Sequence, residues 1–290
     1  MIVDTVLQAA HFSVVTHVCR HPRFACGGAS MQGGEPARLL FTRCGSFGIK
    51  VGRKTVFARP GQVVLVPKDV DYLVTHPAAG GYDCCTDVSI DDEALDMLGI
   101  AGRGSKPCQE LVHDLHFQKT HVEMLLSLQR CGNDEQEAEE VVLDTLEYLL
   151  TSHATTRPHP RNPVINRQVA CVEEAILGHT EENVGVQALA KLANCSSFHL
   201  CRIFRHSTGR SLRQFRMQHR LGTALGRLGE GQDDLAALAC ETGFSSHSHM
   251  TDTFREILGV SPRQVRDDLR SSDLRTMRTR LHRLQKRKTG

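Results

Sequence analysis

In the last third of the chain the apolar and polar positions run through the same order twice. An apolar pair, Leu189-Ala190, leads to a turn at Asn194-Cys195-Ser196, then to Phe204-Arg205, Gly209 and Ser211. The order restarts at Leu238-Ala239 and continues through Gly243-Phe244-Ser245, Phe254-Arg255, Gly259 and Ser261. The Phe-Arg, Gly and Ser positions recur after 50 residues and the Leu-Ala and turn positions after 49. One extra residue therefore separates turn from second helix in the second copy. Helix, tight turn, helix with an apolar stripe and terminal glycine, written twice, predict two helix-turn-helix units in tandem.

The first half carries a different period. Leu39-Leu40-Phe41, Phe47 to Val51, Thr55 to Ala58, Val63 to Val66 and Tyr72 to Val74 are short runs punctuated by Gly52, Pro60-Gly61, Pro67, Asp69 and Asp71. Their near-regular spacing between residues 39 and 89 predicts a small barrel or jelly roll. Residues 108–130 and 134–153 then read as two helices, lined by Leu111, Leu115, Val122, Leu125, Leu126 and Leu128, and by Val141, Val142, Leu146, Leu149 and Leu150. Thr155 to Pro163, with three prolines, reads as a linker. Helix dominates from Val164, and Ser211 to Leu228 is expected to join the two repeat units as one helix. Gly222 and Gly226 inside it each cost about 1 kcal/mol against Ala, so close packing is the expected reason for them. The segment from Leu269 to Gly290 reads as a frayed basic tail. The fold class expected is therefore α+β multidomain, a β-barrel with helices followed by an all-α tandem helix-turn-helix unit.

Charge adds to this division. The net charge of +2 hides an acidic half: residues 1–160 hold 14 Lys+Arg against 20 Asp+Glu, a net of −6, whereas residues 161–290 hold 21 against 13, a net of +8. A basic helical half fits a polyanion-binding unit. No stretch approaches the roughly 18 uninterrupted apolar residues of a membrane span, and Met1-Ile2-Val3-Asp4 does not open a secretory signal. The chain is expected in the cytoplasm, with its 11 cysteines mostly free thiols or metal ligands rather than disulfides.

A recognition helix offers base edges chiefly from its N-terminal turns. With Leu200, Ile203, Phe204 and Ser207 packed inward, the outward positions of the first unit are Ser197, Phe198, Cys201, Arg202 and Arg205. Arg202 is the leading base reader, since a guanidinium donates two hydrogen bonds to guanine, a contact worth roughly 1–3 kcal/mol of discrimination. In the second unit Met250, Phe254 and Ile257 pack inward. Ser246, His247, Ser248, Thr251 and Arg255 are expected to face DNA, with His249 and Asp252 also outward. Ser196 and Ser245 are expected helix N-caps, and Asp233 a cap for the first helix of the second unit.

From Ala188 to Arg266 the chain resembles the DNA-binding domain of the AraC/XylS family of bacterial regulators. The matching residues are Leu189-Ala190, Ser196, Leu200, Arg202, Phe204-Arg205, Gly209, Ser211, Arg220, Ala224 and Leu228, then Leu238-Ala239, Gly243-Phe244, Phe254-Arg255, Gly259, Ser261-Pro262 and Arg266. The resemblance implies seven helices, two recognition helices in successive major grooves of double-stranded promoter DNA, contact with RNA polymerase, and activation or repression of nearby promoters. Two departures stand out: Cys201 occupies a position often polar, and Asp252 replaces a common cation.

Residues 39–89 are similar to the cupin-like ligand-binding domain often fused to this unit, with Pro60-Gly61 and Pro67-x-Asp69 as its marks. That similarity implies an effector-sensing domain over residues 1–107, a helical dimerisation region at 108–154 giving a homodimer, a linker at 155–163, a DNA-binding domain at 164–268 and a basic tail at 269–290. A metal-cupin signature needs a His-x-His pair, and only His76 stands near the right strand, which argues against a cupin-type metalloenzyme. Cys19, Cys26, Cys85 and His76 remain a candidate site for zinc or another soft metal, should a barrel bring the N-terminal strand beside Cys85. Metal- or thiol-responsive regulation is the alternative input to a small-molecule effector; the bland alternative is buried free cysteines and surface histidines. Cys84 stands with His76, Asp83 and Cys85 in a second cluster, whereas Cys44, Cys108, Cys131, Cys171, Cys195, Cys201 and Cys240 read as packing.

Overall fold

The computed structural model describes residues 2–20, 30–31, 36–76, 82–98, 109–113, 115–130, 135–153, 162–178 and 183–271. Ten strands come first: β1 Ile2–Gln8, β2 Phe12–Arg20, β3 Ser30–Met31, β4 Ala37–Cys44, β5 Phe47–Val51, β6 Lys54–Ala58, β7 Gln62–Val66, β8 Tyr72–Thr75, β9 Tyr82–Ile90 and, after the short helix α1 Asp92–Met97, β10 Gln109–His113. Nine more helices follow: α2 Leu115–Arg130, α3 Glu135–His153, α4 Pro163–Gly178, α5 Val186–Leu192, α6 Ser197–Thr208, α7 Leu212–Gly229, α8 Leu235–Glu241, α9 His247–Leu258 and α10 Pro262–Ser271.

The strands form a six-stranded sheet in the order β1-β2-β9-β4-β7-β10 and a four-stranded sheet in the order β3-β8-β5-β6. The pairing is antiparallel throughout the described strands. Strands β4 and β7 of the large sheet are buried on both faces, so they read as apolar runs rather than alternations. Leu39, Phe41, Val63, Leu65 and Val88 pack against α2 and α3. Leu40, Val64, Val66 and Cys85 face the small sheet with Phe47, Ile49 and Val56. A β-bulge between Thr42 and Cys44 changes the side on which Cys44 emerges.

Two expectations about the middle of the chain are corrected. Gln109–His113 is a strand paired with β7, not the start of a helix. Leu111 and Val112 suit either element, and periodicity over so short a run does not separate them. Helix α2 is buried almost all round inside the one chain, between the large sheet, α7 and α10. Pro163 opens α4 rather than closing a linker: Asn162 accepts hydrogen bonds from the Val164 and Ile165 amides, and proline at the first helical position gives up an amide that has no helical partner. Residues 154–161 of that linker lie outside the described residues. At the far end Leu269 is buried in α10, so only residues 272–290 of the supposed tail lie outside the described residues.

Helix α7 ties the two halves together. Its small residues face the barrel and α2: a Cβ at Gly226 would stand 2.2 Å from the Arg43 carbonyl oxygen, one at Gly222 2.2 Å from Pro60, and one at Gly229 2.4 Å from Val122. The close packing expected of Gly222 and Gly226 is present, and its partner is the N-terminal half. Gln118 on α2 donates to both the Arg43 and Gly222 carbonyls, at 2.8 and 2.7 Å, closing the seam.

Candidate nucleic-acid interface

Each repeat unit is built from the same local devices. Asn194 and Gly243 hold the left-handed backbone of the turn, with φ of 50° and 77°. Asparagine and glycine are the residues that adopt this conformation most readily, which explains their equivalent places in the repeat. Ser196 caps α6 and Ser246 caps α9, each accepting from the amide three residues on. Gly209 and Gly259 end the two helices in the left-handed conformation.

The caps revise two expectations. In the second unit the cap is Ser246, not Ser245, because the extra residue of the repeat is spent before the helix. Ser245 instead meets His249 Nδ1 at 2.9 Å. Asp234 rather than Asp233 caps α8, accepting from the Ala236 and Ala237 amides. Asp233 pairs with Arg270 on α10.

The outward face of α6 matches its expected composition. Leu200, Ile203 and Phe204 are buried, while Cys201, Arg202 and Arg205 are exposed and Ser197 is half-buried. Phe198 stands 80% exposed at the head of the helix. An apolar ring so placed suits van der Waals contact with thymine methyl groups. Neither Arg202 nor Arg205 has an ion pair among the described residues, so both guanidinium groups are available to an outside acceptor. Arg205 sits in the last turn of α6, which suits phosphate better than base edges.

Helix α9 is a less open reader. Ser246, His247, Ser248, Asp252 and Arg255 are exposed, but Thr251 is half-buried with its hydroxyl enclosed. His249 turns back on the motif, edge-on to Phe244 at 5.5 Å between centroids. Its expected outward placement is corrected: the ring locks the turn. Met250 and Phe254 are buried as expected and Ile257 is half-buried.

Residues 189–268 match the helix-turn-helix domain family. The C-terminal unit is an AraC-type helix-turn-helix domain. Over 92 residues the chain is 33% identical to an uncharacterized HTH-type transcriptional regulator of Haemophilus influenzae, covering 32% of this chain and 31% of that one. Over 96 residues it is 28% identical to the multiple antibiotic resistance protein MarA of Escherichia coli, covering 32% of this chain and 76% of that one. The chain thus spans about a third of the length of the Haemophilus relative. Among solved structures, apo ToxT from Vibrio cholerae is 12% identical with a TM-score of 0.40, covering 91% of this chain and 99% of that one. The AraC-type domain accounts for α5 to α10, and the extra turn residue before α9 keeps its two recognition helices in matching cap geometry.

In the N-terminal half, β2 does pair with β9 as the soft-metal reading required, with His17 opposite Cys85 and Cys19 opposite Asp83. Among the described residues, Cys19, Cys85 and His76 do not gather as a set of metal donors. His76 pairs with Asp83 at 3.0 Å. Cys85 is buried among Leu40, Ile49 and Val64, where burial pushes its thiol well above the usual range and so disfavours the thiolate a metal needs. Cys26 lies outside the described residues. Among the described residues, three donor atoms gather within 4.8 Å of one another only at Cys44, Cys84 and Glu230. Cys44 and Cys84 are joined as a disulfide, which corrects the reading of Cys44 as mere packing, while the other described cysteines are free thiols. Sequence spacing gave no sign of it, because the register and bulge of β4 against β9 create the meeting.

Proposed function

We propose that the protein is a sequence-specific DNA-binding transcriptional regulator whose N-terminal barrel senses a small effector. The observation that carries this reading is the exposed face of α6, where Phe198, Arg202 and Arg205 stand free above a buried apolar stripe. The reading prefers a binding role for the barrel to a metalloenzyme, since His76 is held by Asp83. Polar groups between the sheets support an effector: the Thr42 hydroxyl and both amide atoms of Gln62 are buried without a hydrogen-bond partner among the described residues. Orphaned groups of this kind cost about 1–3 kcal/mol each, which a small polar molecule would recover by bonding to them. Such a ligand acts by favouring one docking of α7 on the barrel over another. Homodimer formation and contact with RNA polymerase belong to the same reading.

The test is a binding titration of the purified protein on duplex DNA flanking its own gene and on a shuffled duplex, across a range of salt. The reading predicts preference for the genomic duplex and a steep fall of affinity with salt. Equal affinity for both duplexes at every salt concentration contradicts it.

A further inference from the structure

We propose that Asp252 makes α9 a reader of cytosine, so that the two helix-turn-helix units take opposite hydrogen-bonding partners from the major groove. This rests on the DNA-binding function above and specifies what the second unit selects.

The two recognition helices correspond residue for residue. Ser196 and Ser246 cap them through the His199 and His249 amides, at 3.2 and 3.1 Å. Gly209 and Gly259 end them with φ of 70° and 73°. Between these fixed ends each helix has 12 residues, Ser197–Thr208 and His247–Leu258. Asp252 therefore holds in α9 the place that Arg202 holds in α6, 50 residues earlier. Burial agrees position by position from Arg202 to Arg210 and from Asp252 to Val260. Both side chains are exposed in the second turn of their helix, on the face away from the apolar stripe.

At this one geometric place the polarity is inverted. A guanidinium only donates hydrogen bonds, whereas an ionised carboxylate only accepts them. In the major groove guanine shows two acceptors, O6 and N7, and cytosine shows its N4 amino donor. Adenine also shows an amino group, but the N7 acceptor beside it opposes a carboxylate. Thymine shows the O4 acceptor and a methyl group, neither of which suits an anion. Cytosine is the base whose edge matches Asp252.

Nothing within the chain occupies this carboxylate. Among the described residues its side chain makes no ion pair and no hydrogen bond. The rest of the face leaves the role to it. Ser246 serves as the cap, His249 is held by Ser245 and Phe244, and the Thr251 hydroxyl is enclosed. A carboxylate among phosphates repels unless a base donor meets it, so α9 binds best where one does. Arg255, exposed in the next turn, offers a cation to the phosphates at the groove edge and offsets that repulsion.

The experiment selects duplexes from a randomised library with the full chain, with Asp252→Asn, with Asp252→Ala and with Arg202→Ala. Each protein is then titrated on the selected duplex and on versions of it changed at one base pair. The unaltered protein is expected to enrich a cytosine that Arg202→Ala leaves in place, and to lose about tenfold in affinity when that C·G pair becomes T·A. Asp252→Ala is expected to cut that loss to about twofold or less. Asp252→Asn is expected to turn the preference to adenine, because an amide donates to N7 and accepts from N6. Asp252 is exposed and unbonded within the chain, so these variants keep the fold. A selected site whose every base preference survives Asp252→Ala overturns the proposal. So does a general gain in affinity by that variant with preferences unchanged, since the carboxylate then merely repels DNA. An unaltered protein that enriches no sequence at all defeats the regulator reading, and this one with it.

Discussion

Arg202 and Arg205 share the exposed face of α6 but stand at different depths along it, and the difference separates their effects. Arg202→Ala is expected to lower affinity for the specific site by about tenfold or more while leaving affinity for shuffled DNA nearly unchanged. Arg205→Ala is expected to weaken both duplexes alike and to reduce the salt slope by about one. Binding titrations of the two variants on the same pair of duplexes read both outcomes. A second residue-level prediction concerns His121 and His219, which are buried and uncharged. Burial first, then the nearby Arg43 for His121 and Arg59 and Arg220 for His219, lowers each from 6.5 to about 3. Between those values the unfolded chain binds protons that the folded chain refuses, so stability is full above pH 6.5 and falls as the pH drops toward 3. Each histidine contributes a slope of about 1.4 kcal/mol per pH unit. Urea denaturation at a series of pH values is expected to show this loss, and His121→Leu to flatten it by about half. At this scale the sequence was informative wherever a side chain acts alone: Arg202, Phe198 and the buried stripe of α6 were read from a helical wheel. It was uninformative for His249, whose role depends on a ring contact with Phe244, and for Cys44 and Cys84, which meet only across a strand register.

At the scale of elements, the repeat made both helix-turn-helix units legible because each uses the same turn, cap and terminal glycine. Strands β4 to β8 were legible for a related reason: glycine, proline and aspartate mark their ends, and burial on both faces makes β4 and β7 near-continuous apolar runs. Gln109–His113 was misread because it continues into a true helix with no punctuation between, and only its pairing with β7 decides the matter. The glycines of α7 supply the prediction at this scale. Gly226→Ala in an exposed helix would stabilise by about 1 kcal/mol through helix propensity. Here the added Cβ meets the Arg43 carbonyl at 2.2 Å, so overpacking is expected to reverse the sign and cost about 1–3 kcal/mol. Thermal unfolding decides between the two signs.

At the scale of the whole molecule, the N-terminal half and the helix-turn-helix half are joined by polar groups that each half would leave unpaired alone. Arg59, in the barrel, bonds Glu173 on α4 at 2.8 Å and lies 4.5 Å above the Phe215 ring of α7. Arg59→Ala strands the Glu173 carboxylate and removes the cation–π contact, with an expected loss of about 2–4 kcal/mol in denaturant unfolding. None of this joint was visible in the sequence, since its partners lie far apart along the chain and carry no shared pattern. The most direct test of sequence-specific DNA binding through α6 is a gel-shift titration on the DNA flanking the protein's own gene, with Arg202→Ala run beside the unaltered protein. A specific complex is expected that outlasts excess shuffled competitor and that the substitution weakens by about tenfold or more. A complex that shuffled DNA displaces equally well, with Arg202→Ala indistinguishable from the unaltered protein, would contradict it.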